Sequence, residues 1–368
     1  MVSDIISGRY PSGAVVGIKQ ITAGYAACYR SVKSALDSLV SQGWLVREKK
    51  QYRVQDSAGG GTGRTVVLLS TIDRTRSAAT LSPRQQELVR ACEIHCSRMR
   101  LGLEPVQLSR SVPSLEAAGS VRIPAGSGIA GYLVWMGDTG AAALQTILGR
   151  LATTGKPVAV LDEVGEITPE TPPAAGARTA FFSMANSASA GTAMGRHLLA
   201  LGHTRIGFLL ISRSQRWAEN RCAGMRGVFS AVVSSAGVRT FAIDHAGTEV
   251  QVGPALRAAL DDRVTAVVAE NDWMAIRCLS WLDTEGIRPG RDLSVAGFDD
   301  TVDAFMHNLT SYNFNCESTA HSMLQHLLGR AMPRHDKKAA IFEVEGFVTA
   351  RRSTGRPAGT VNIDKVHG

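Results

Sequence analysis

Short apolar runs alternate with amphipathic stretches along most of this 368-residue chain, and that alternation constrains its fold more than any other feature. An apolar run of roughly four to eight residues is typical of a strand that helices cover on both faces, as in a parallel sheet. The sequence therefore predicts an α/β body with parallel sheets. The predicted strands are 66–70, 129–136, 157–162, 206–211, 265–270 and 293–300, and the predicted helices are 83–100, 141–154, 191–201, 219–236 and 273–285.

A polar residue stands at the carboxyl end of four of these strands. These residues are Ser70, Asp162, Asn271 and Asp299. Ligands of parallel α/β sheets bind in a crevice outside the carboxyl ends of the strands. These positions are therefore where a small-molecule site is expected.

Length and composition limit the class of protein. A chain of 368 residues suggests about two or three folding units, and its 44% of hydrophobic residues is enough for substantial cores. The net charge of +8 favours a polyanionic partner. A run of about 18 apolar residues and a signal peptide are absent from the sequence, so we expect a cytoplasmic protein without a membrane partner. Scattered cysteines fit reduced thiols. They are Cys28, Cys92, Cys96, Cys222, Cys278 and Cys316.

A glycine-rich segment divides the chain. Residues 56–64 read DSAGGGTGR, and three consecutive glycines beside Ser and Thr are typical of a flexible linker. We therefore predict a basic N-terminal domain over 1–55, a body over 65–355 and a flexible tail over 356–368.

The N-terminal domain has the pattern of a winged helix-turn-helix. A helix over 19–24 precedes a longer helix, which Gly43 is placed to end. The segment WLVREKKQYRV then alternates as a small basic hairpin does. In a winged helix the second helix enters the major groove and the wing contacts phosphate. The core stripe of the longer helix is predicted to be Val32, Ala35, Leu36, Leu39 and Val40.

GRYPSG, followed by YRSVKSALDSLVSQGWLVREKKQYRV, resembles the winged helix of GntR-type regulators over about 6–54. The Pro-Ser-Glu run of that family is Val16-Gly17-Ile18 here, and its Ser-Arg pair is Cys28-Tyr29. The alternative interpretation is that the basic run over 47–53 is only a solvated face. The resemblance implies these DNA-binding residues: Lys19, Tyr29, Arg30, Ser31, Lys33, Arg47, Lys49, Lys50 and Arg53.

Five segments of the body resemble, in order, the sensor of LacI/GalR regulators, whose fold is similar to that of periplasmic sugar-binding proteins. They are GRHLLALGHTRIGFLL, ENRCAGMRGVF, TAVVAENDWMAIRCLSWLDTEGIRPGRDLSVAGFDD, LTSYNF and GFVTARRST. The resemblance covers about 66–354 and implies two lobes, the first at about 65–160 and 315–336 and the second at about 161–314 and 337–355. Because DSAGGGTGR cannot form the usual hinge helix of that family, the whole plan is similar to the GntR-headed arabinose-repressor type.

This second resemblance implies effector contacts from Arg221, Asn271 and Asp299, and from Asp162 at the first crossing between the lobes. A guanidinium, an amide and carboxylates can together satisfy the hydroxyls of a polyol. In the alternative interpretation, Asp299 and Asp300 cap the next helix, and Asn271 and Asp272 cap the helix that begins at Trp273. The family's Asp-Asn pair before GRHLLALGH is Ala185-Asn186 here, which leaves the identity of the ligand open.

Other chemical signals are weak. Cys92, His95 and Cys96 share a helical face, but three ligands without a fourth predict helix packing rather than a metal site. The sequence contains no GxSxG, P-loop or HExxH motif, so we expect no catalytic residues, no cofactor and no enzyme activity.

These observations predict a DNA-binding transcription regulator, in the first instance a repressor. We expect it to bind operator DNA as a homodimer and to respond to a small polar effector such as a sugar or sugar derivative. The alternative is a soluble sugar-binding or sensor protein with a degenerate DNA-binding head, and an α/β enzyme is a third possibility. Retention on DNA separates the first two, and turnover assays address the third.

Overall fold

A computed structural model describes residues 10, 13–24, 28–41, 45–48, 51–54, 64–70, 81–108, 122–136, 141–163, 167, 176, 178–184, 188–211, 216–231, 237–243, 245–246, 249–329 and 341–358. The chain divides into two compact units. The first comprises Met1–Arg64 with Met99–Gly102, and the second comprises Thr65–Arg98 with Leu103–Gly368. The division after Arg64 falls where the predicted linker ends, although linker residues 56–63 lie outside the described part.

The first unit contains two helices followed by a hairpin, which is the predicted order of elements. Its strands form an antiparallel sheet in the order β1-β3-β2. The predicted helix end at Gly43 is outside the described residues. The elements are β1 (Val15–Val16), α1 (Ile18–Gly24), α2 (Tyr29–Ser41), β2 (Leu45–Glu48) and β3 (Gln51–Val54).

A small apolar core joins α2 to this sheet. Three of the predicted stripe residues are buried and Val40 is partly buried, but Ala35 is exposed, because the sheet covers a narrower face of the helix than predicted. Tyr52 on β3 is also buried, and its hydroxyl donates to Asp37 on α2 at 2.7 Å. The buried stripe residues are Val32, Leu36 and Leu39.

The second unit contains two six-stranded sheets, each in its own lobe. In the first lobe the order is β16-β8-β7-β6-β4-β5, and neighbours from β16 to β4 pair in parallel. The strands are β4 (Thr65–Ser70), β5 (Gly102–Gln107), β6 (Ile129–Met136), β7 (Val158–Asp162), β8 (Thr179–Ser183) and β16 (Ile341–Glu343), and the helices are α3 (Pro83–Arg98), α4 (Ala141–Ala152) and α10 (Cys316–Leu327).

The second lobe has the order β10-β9-β13-β14-β15-β17, parallel except for the last pair. Predicted parallel sheets are thus confirmed in both lobes. The strands are β9 (Arg205–Ile211), β10 (Gly237–Ile243), β13 (Ala266–Ala269), β14 (Ser294–Phe298), β15 (Thr310–Asn313) and β17 (Phe347–Thr349), beside a small ribbon of β11 (His245–Ala246) and β12 (Glu249–Val250). The helices are α5 (Ala188–Ala200), α6 (Arg216–Ser230), α7 (Gly253–Asp261), α8 (Asp272–Thr284) and α9 (Val302–Met306).

The crossings between the lobes differ from the predicted ones. After β7 the chain enters β8, which pairs with β7 in the same sheet, so the first crossing follows Ser183 rather than Asp162. The later crossings follow Asn313 and Glu343. Both β8 and β16 therefore belong to the first lobe, although the predicted boundaries put 179–183 and 341–343 in the second.

The apolar pattern missed two interior strands, β8 and β15, and all four edge strands of the two large sheets. The edge strands β5 and β10 show one reason. Both contain exposed positions, because an edge strand is solvated along one side and does not need an uninterrupted apolar run. Every strand that the pattern predicted lies in the interior of its sheet, but β8 and β15 show that it did not find all interior strands.

Candidate functional site

Arg221 is a buried cation on α6, with 1% of its surface exposed. Its guanidinium lies over the rings of Trp217, Phe298 and Phe314, at 4.4, 4.6 and 4.7 Å from the ring centroids. Nη1 donates to the carbonyl oxygen of Glu270, which follows β13. Nε is buried and has no acceptor among the described residues. Burial lowers the pKa of Arg221 to about 9, which means that its charge has lost most of its solvation.

Close packing of α5 against α6 determines where Arg221 lies. A Cβ atom on Gly191 of α5 would overlap the backbone carbonyl of Arg221, and one on Gly224 of α6 would overlap the carbonyl of Ala188. Glycine at both points lets the two helix backbones touch. The pair of helices therefore holds the arginine against the end of the second sheet.

Arg84 and Glu163 form a buried ion pair in the first lobe, with 3.1 Å between Nη2 and Oε1. Arg84 lies in the first turn of α3, which starts with a reciprocal pair of hydrogen bonds between Ser82 and Gln85. Gln85 Nε2 and Trp135 Nε1 also donate to Glu163, at 3.0 and 2.9 Å. Sequence reasoning missed both members of the ion pair. Glu163 could have been found, because it follows the end of β7.

Asp299 lies at the end of β14 and faces Arg84 of the other lobe. The distance between Asp299 Oδ1 and Arg84 Nη1 is 3.9 Å. Asp299 has a φ of 108°, and its backbone N–H donates to the carbonyl oxygen of Tyr312 at 3.0 Å. Burial raises the pKa of Asp299, whereas the positive charges of Arg84 and Arg221 oppose that rise. The guanidinium of Arg84 also lies 5.0 Å from the centroid of Phe314, so both arginines contact the same ring.

Asp300, the next residue, has a structural function. Its Oδ1 accepts from Arg351 Nη2 at 2.6 Å, and its Oδ2 accepts from Asn313 Nδ2 at 3.0 Å and Thr349 Oγ1 at 2.8 Å. These bonds tie the end of β14 to β15 and β17. Of two adjacent carboxylates, one therefore anchors the sheet and the other is directed toward the opposite lobe.

The capping alternative has different outcomes at the two helices. At α9 the cap is Thr301, whose Oγ1 accepts from Ala304 N at 3.1 Å, so the interpretation of Asp299 as a cap is wrong. At α8 the cap is Asn271, whose Oδ1 accepts from Met274 N at 2.9 Å, so the alternative is confirmed there. This cap uses the oxygen of the Asn271 amide and not its Nδ2 donors.

Asp272 joins the start of α8 to the segment after β14. Its Oδ1 accepts from Ser311 Oγ at 2.6 Å, and its Oδ2 accepts from Thr301 N at 2.9 Å. Burial is the main cause that raises the pKa of Asp272 to about 7, and the negative charge of Asp299 adds to it. Both carboxyl oxygens of Asp272 thus accept hydrogen bonds from the protein itself.

Asp162 lies at the end of β7 but not at a crossing. It is buried, and its Oδ2 accepts from Ile167 N at 2.8 Å, which ties Ile167 to the end of β7. Its neighbour Glu163 is the residue that reaches Arg84. The structure thus brings Arg221 and Asp299 together with an unpredicted residue, Arg84, while Asp162 supports the first sheet.

In the first unit, the predicted DNA-binding residues that the structure describes are all exposed. Arg53 is also engaged within the hairpin, because it forms an ion pair with Glu48 at 2.8 Å and donates to Gly13 O at 3.1 Å. Lys49 and Lys50, like Asn186 of the body, lie outside the described residues. The exposed residues are Lys19, Tyr29, Arg30, Ser31, Lys33, Arg47 and Arg53.

The Cys-His-Cys face of α3 is packed against the protein. Cys92, His95 and Cys96 are buried, and burial raises the pKa of both thiols to about 12. Within the described ranges, no group of three or more His, Cys, Asp or Glu side chains is arranged to hold a metal ion. In the same part of the chain, no helix has the length and apolar character needed to span a membrane.

Comparison with known proteins places the second unit in a class. Residues 196–354 match the family model of the periplasmic binding protein-like domain. A LacI transcriptional regulator from a Rhodococcus species has a similar fold, with a TM-score of 0.53 and 18% identity over 80% of this chain and 99% of that chain. The dimeric Lac repressor is also similar, with a TM-score of 0.53 and 19% identity over 80% of this chain and all of that chain. The second unit is thus a two-lobed periplasmic binding protein-like fold.

Two curated relatives narrow the comparison to transcription regulators. The HTH-type transcriptional repressor PurR of Aliivibrio salmonicida is 26% identical over 171 residues, 46% of this chain and 51% of the relative. The HTH-type transcriptional regulator GalR of Escherichia coli is 34% identical over 110 residues, 29% of this chain and 32% of the relative. The chain thus matches about half or less of each relative's length. Over the matched residues it shares a periplasmic binding protein-like domain with these regulators.

Proposed function

We propose that this protein is an effector-controlled DNA-binding transcription regulator and not an enzyme. The observation that carries the proposal is the meeting of Asp299 from one lobe with Arg84 from the other, beside buried Arg221, in a periplasmic binding protein-like fold. Charged groups that converge where two parallel sheets present their carboxyl ends are the usual setting of a ligand crevice. The homologues that share this domain are named as repressors and regulators.

The effector is a small polar molecule with hydroxyl groups, such as a sugar derivative. Asp299 as a carboxylate accepts hydrogen bonds from ligand hydroxyls, and the Nδ2 atom of Asn271 donates to ligand oxygens. Trp217, Phe298 and Phe314 supply the apolar walls that such pockets use. Glu163, rather than Asp162, completes the site in the first lobe, because the Glu163 carboxylate pairs with Arg84 whereas that of Asp162 accepts from the backbone of Ile167.

The first unit is a GntR-type winged helix that binds operator DNA. Support comes from its order of helix, helix and hairpin, and from the exposure of Arg30 and Lys33 near the start of α2. That position in a winged helix meets base edges in the major groove. The protein acts as a homodimer, in the cytoplasm, and effector binding changes lobe closure and hence the spacing of two DNA-binding units.

The test is DNA binding by the full chain with and without candidate effectors. Fluorescence anisotropy on duplexes that tile the DNA flanking its own gene is compared with random duplexes of equal length. We expect a preferred duplex whose affinity changes when an effector is added. The alternative, a binding protein with a degenerate head, predicts effector binding with equal, weak affinity for every duplex, and that result would overturn the proposal.

A further inference from the structure

Two guanidinium groups from different lobes, that of buried Arg221 and that of partly buried Arg84, contact one aromatic ring. Arg84 lies 5.0 Å and Arg221 lies 4.7 Å from the centroid of Phe314. In each of them the Nε atom is buried and has no hydrogen-bond partner in the described part of the chain. A buried donor without an acceptor is unfavourable, because it has lost its hydrogen bonds to water without replacement. Two such donors beside the same ring indicate that the site is complete only when a ligand supplies acceptors.

The charges around the two arginines are unequal. Arg84 has a counter-ion, since Glu163 lies at 3.1 Å. For Arg221, no carboxylate of the described residues lies within 4.0 Å, and its hydrogen bond within this part of the chain goes to a neutral carbonyl, that of Glu270. Its other near neighbours are the faces of three aromatic rings. Buried charges are usually paired through direct contact, and the carboxylates that act on Arg221, such as Asp299, do so from more than 4.0 Å away, so Arg221 lacks an anion in contact with it.

We propose that the effector carries an anionic group, a carboxylate or a phosphate, which binds between Arg84 and Arg221 at the edge of Phe314. Guanidinium groups bind such oxyanions through charge-assisted hydrogen bonds, and the free Nε–H donors are the groups that would make them. This inference rests on the proposed location of the effector site and makes its ligand class more specific.

Asp299 restricts the ligand further. The Asp299 carboxylate lies 3.9 Å from Arg84. It would repel an anionic ligand group placed against it, whereas a ligand hydroxyl group can donate a hydrogen bond to it. The site therefore selects a molecule in which hydroxyl groups accompany the anionic group. Sugar acids and sugar phosphates have that chemistry, and neutral sugars lack the anion.

The first experiment compares matched anionic and neutral probes. Gluconate with glucose, ribose 5-phosphate with ribose, and inorganic phosphate alone are titrated against the full chain. Tryptophan fluorescence reports binding, because the Trp217 ring lies 4.4 Å from the Arg221 guanidinium, and melting temperature gives a second readout. We expect saturable binding of at least one anion, about ten- to a hundred-fold tighter than its neutral counterpart. The gluconate and phosphate arms distinguish a carboxylate from a phosphate ligand.

Variants then assign the binding to the arginines. Arg84→Gln should weaken anion binding about ten-fold or more, and Arg84→Gln with Glu163→Gln, which leaves no unpaired buried carboxylate, should do the same in a folded protein. Glu163→Gln alone should tighten anion binding, because it removes the competing counter-ion. Arg277→Gln is the matched control, since Arg277 also lies over an indole ring, that of Trp273 at 4.2 Å, but is exposed.

Three results would overturn the inference: neutral sugars that bind as tightly as the anions, no saturable binding of any anion, or anion binding that the Arg84 variants leave unchanged. Failure of the proposed function looks different. If anions bind with the expected dependence on Arg84 but no duplex is preferred, the anion site stands and DNA regulation does not. If a neutral sugar alone shifts DNA affinity, regulation stands and the anion site does not.

Discussion

Arg84 Nη1 and Asp299 Oδ1 lie 3.9 Å apart, although the two residues belong to different lobes. At that distance the charges attract, but they do not form a hydrogen bond, so a ligand oxygen or water molecule can bridge them. The two side chains are only 14% and 18% exposed, which reduces screening of the attraction. We expect effector binding to change the distance between these two side chains.

Asp299→Asn should weaken the effector response, whereas Asp300→Asn should lower the stability of the protein. Among the described residues no donor makes a hydrogen bond to the Asp299 carboxylate, and Arg84 lies 3.9 Å from it, so substitution of Asp299 should leave the melting temperature nearly unchanged and weaken the effector response about ten-fold. Asp300 holds Arg351, Asn313 and Thr349, so its substitution should cost about 1–3 kcal/mol of unfolding free energy. Urea unfolding and effector titration are measured for both variants. Equal loss of stability in the two would make Asp299 a structural residue.

The pH dependence of stability should contain a contribution from Asp272. Burial raises its pKa from 3.8 to about 7 in the folded protein, so the folded state binds a proton that the unfolded chain releases. That contribution to the unfolding free energy is fully present below pH 3.8 and is lost as the pH rises through about 7. Wild type should therefore lose more stability than Asp272→Asn between pH 5 and pH 8. Parallel pH profiles of the two proteins would contradict this prediction.

Gly191→Ala should disturb the effector site through the backbone. Its Cβ would overlap the carbonyl of Arg221, so α5 and α6 must separate, at a cost of about 1–3 kcal/mol, and effector binding should weaken. Gly227 on α6 is the control, because a Cβ there meets nothing within 4 Å. Gly227→Ala should stabilise by up to about 1 kcal/mol. Thermal unfolding of both variants checks the contrast, and equal effects would show that the helices adjust freely.

Arg30→Ala should weaken binding to the preferred duplex about ten- to a hundred-fold and binding to random DNA much less, since Arg30 is exposed near the start of α2. Anisotropy on both duplexes measures the ratio. The same loss on both would identify Arg30 as a phosphate contact.

Lys49→Ala with Lys50→Ala should weaken binding to all duplexes similarly and flatten the dependence of affinity on salt, because fewer counterions are released from DNA. The affinity is measured at several salt concentrations for the wild type and the double variant. An unchanged salt slope would show that the wing does not contact DNA.

The sequence by itself determined the elements that depend on local pattern. Uninterrupted apolar runs marked six of the eight interior strands, such as 129–136 and 206–211, because those residues are largely buried on both faces. Helical spacing in the first unit identified α2 and its buried face. The rule that ligands bind beyond strand ends pointed to Asp299, and the family resemblance added Arg221.

Only the tertiary structure decided how these elements combine. Whether Asp299 caps a helix or faces the other lobe depends on Thr301 taking the capping position, which local sequence left open. Arg84 could not be found from the pattern, because it opens α3 far from every other site residue and meets Asp299 only when the lobes are assembled. The first crossing follows Ser183 because β8 finds its hydrogen-bonding partner in β7. Strand pairing and charge pairing are contacts between distant segments, and periodicity along one segment carries no information about its partner.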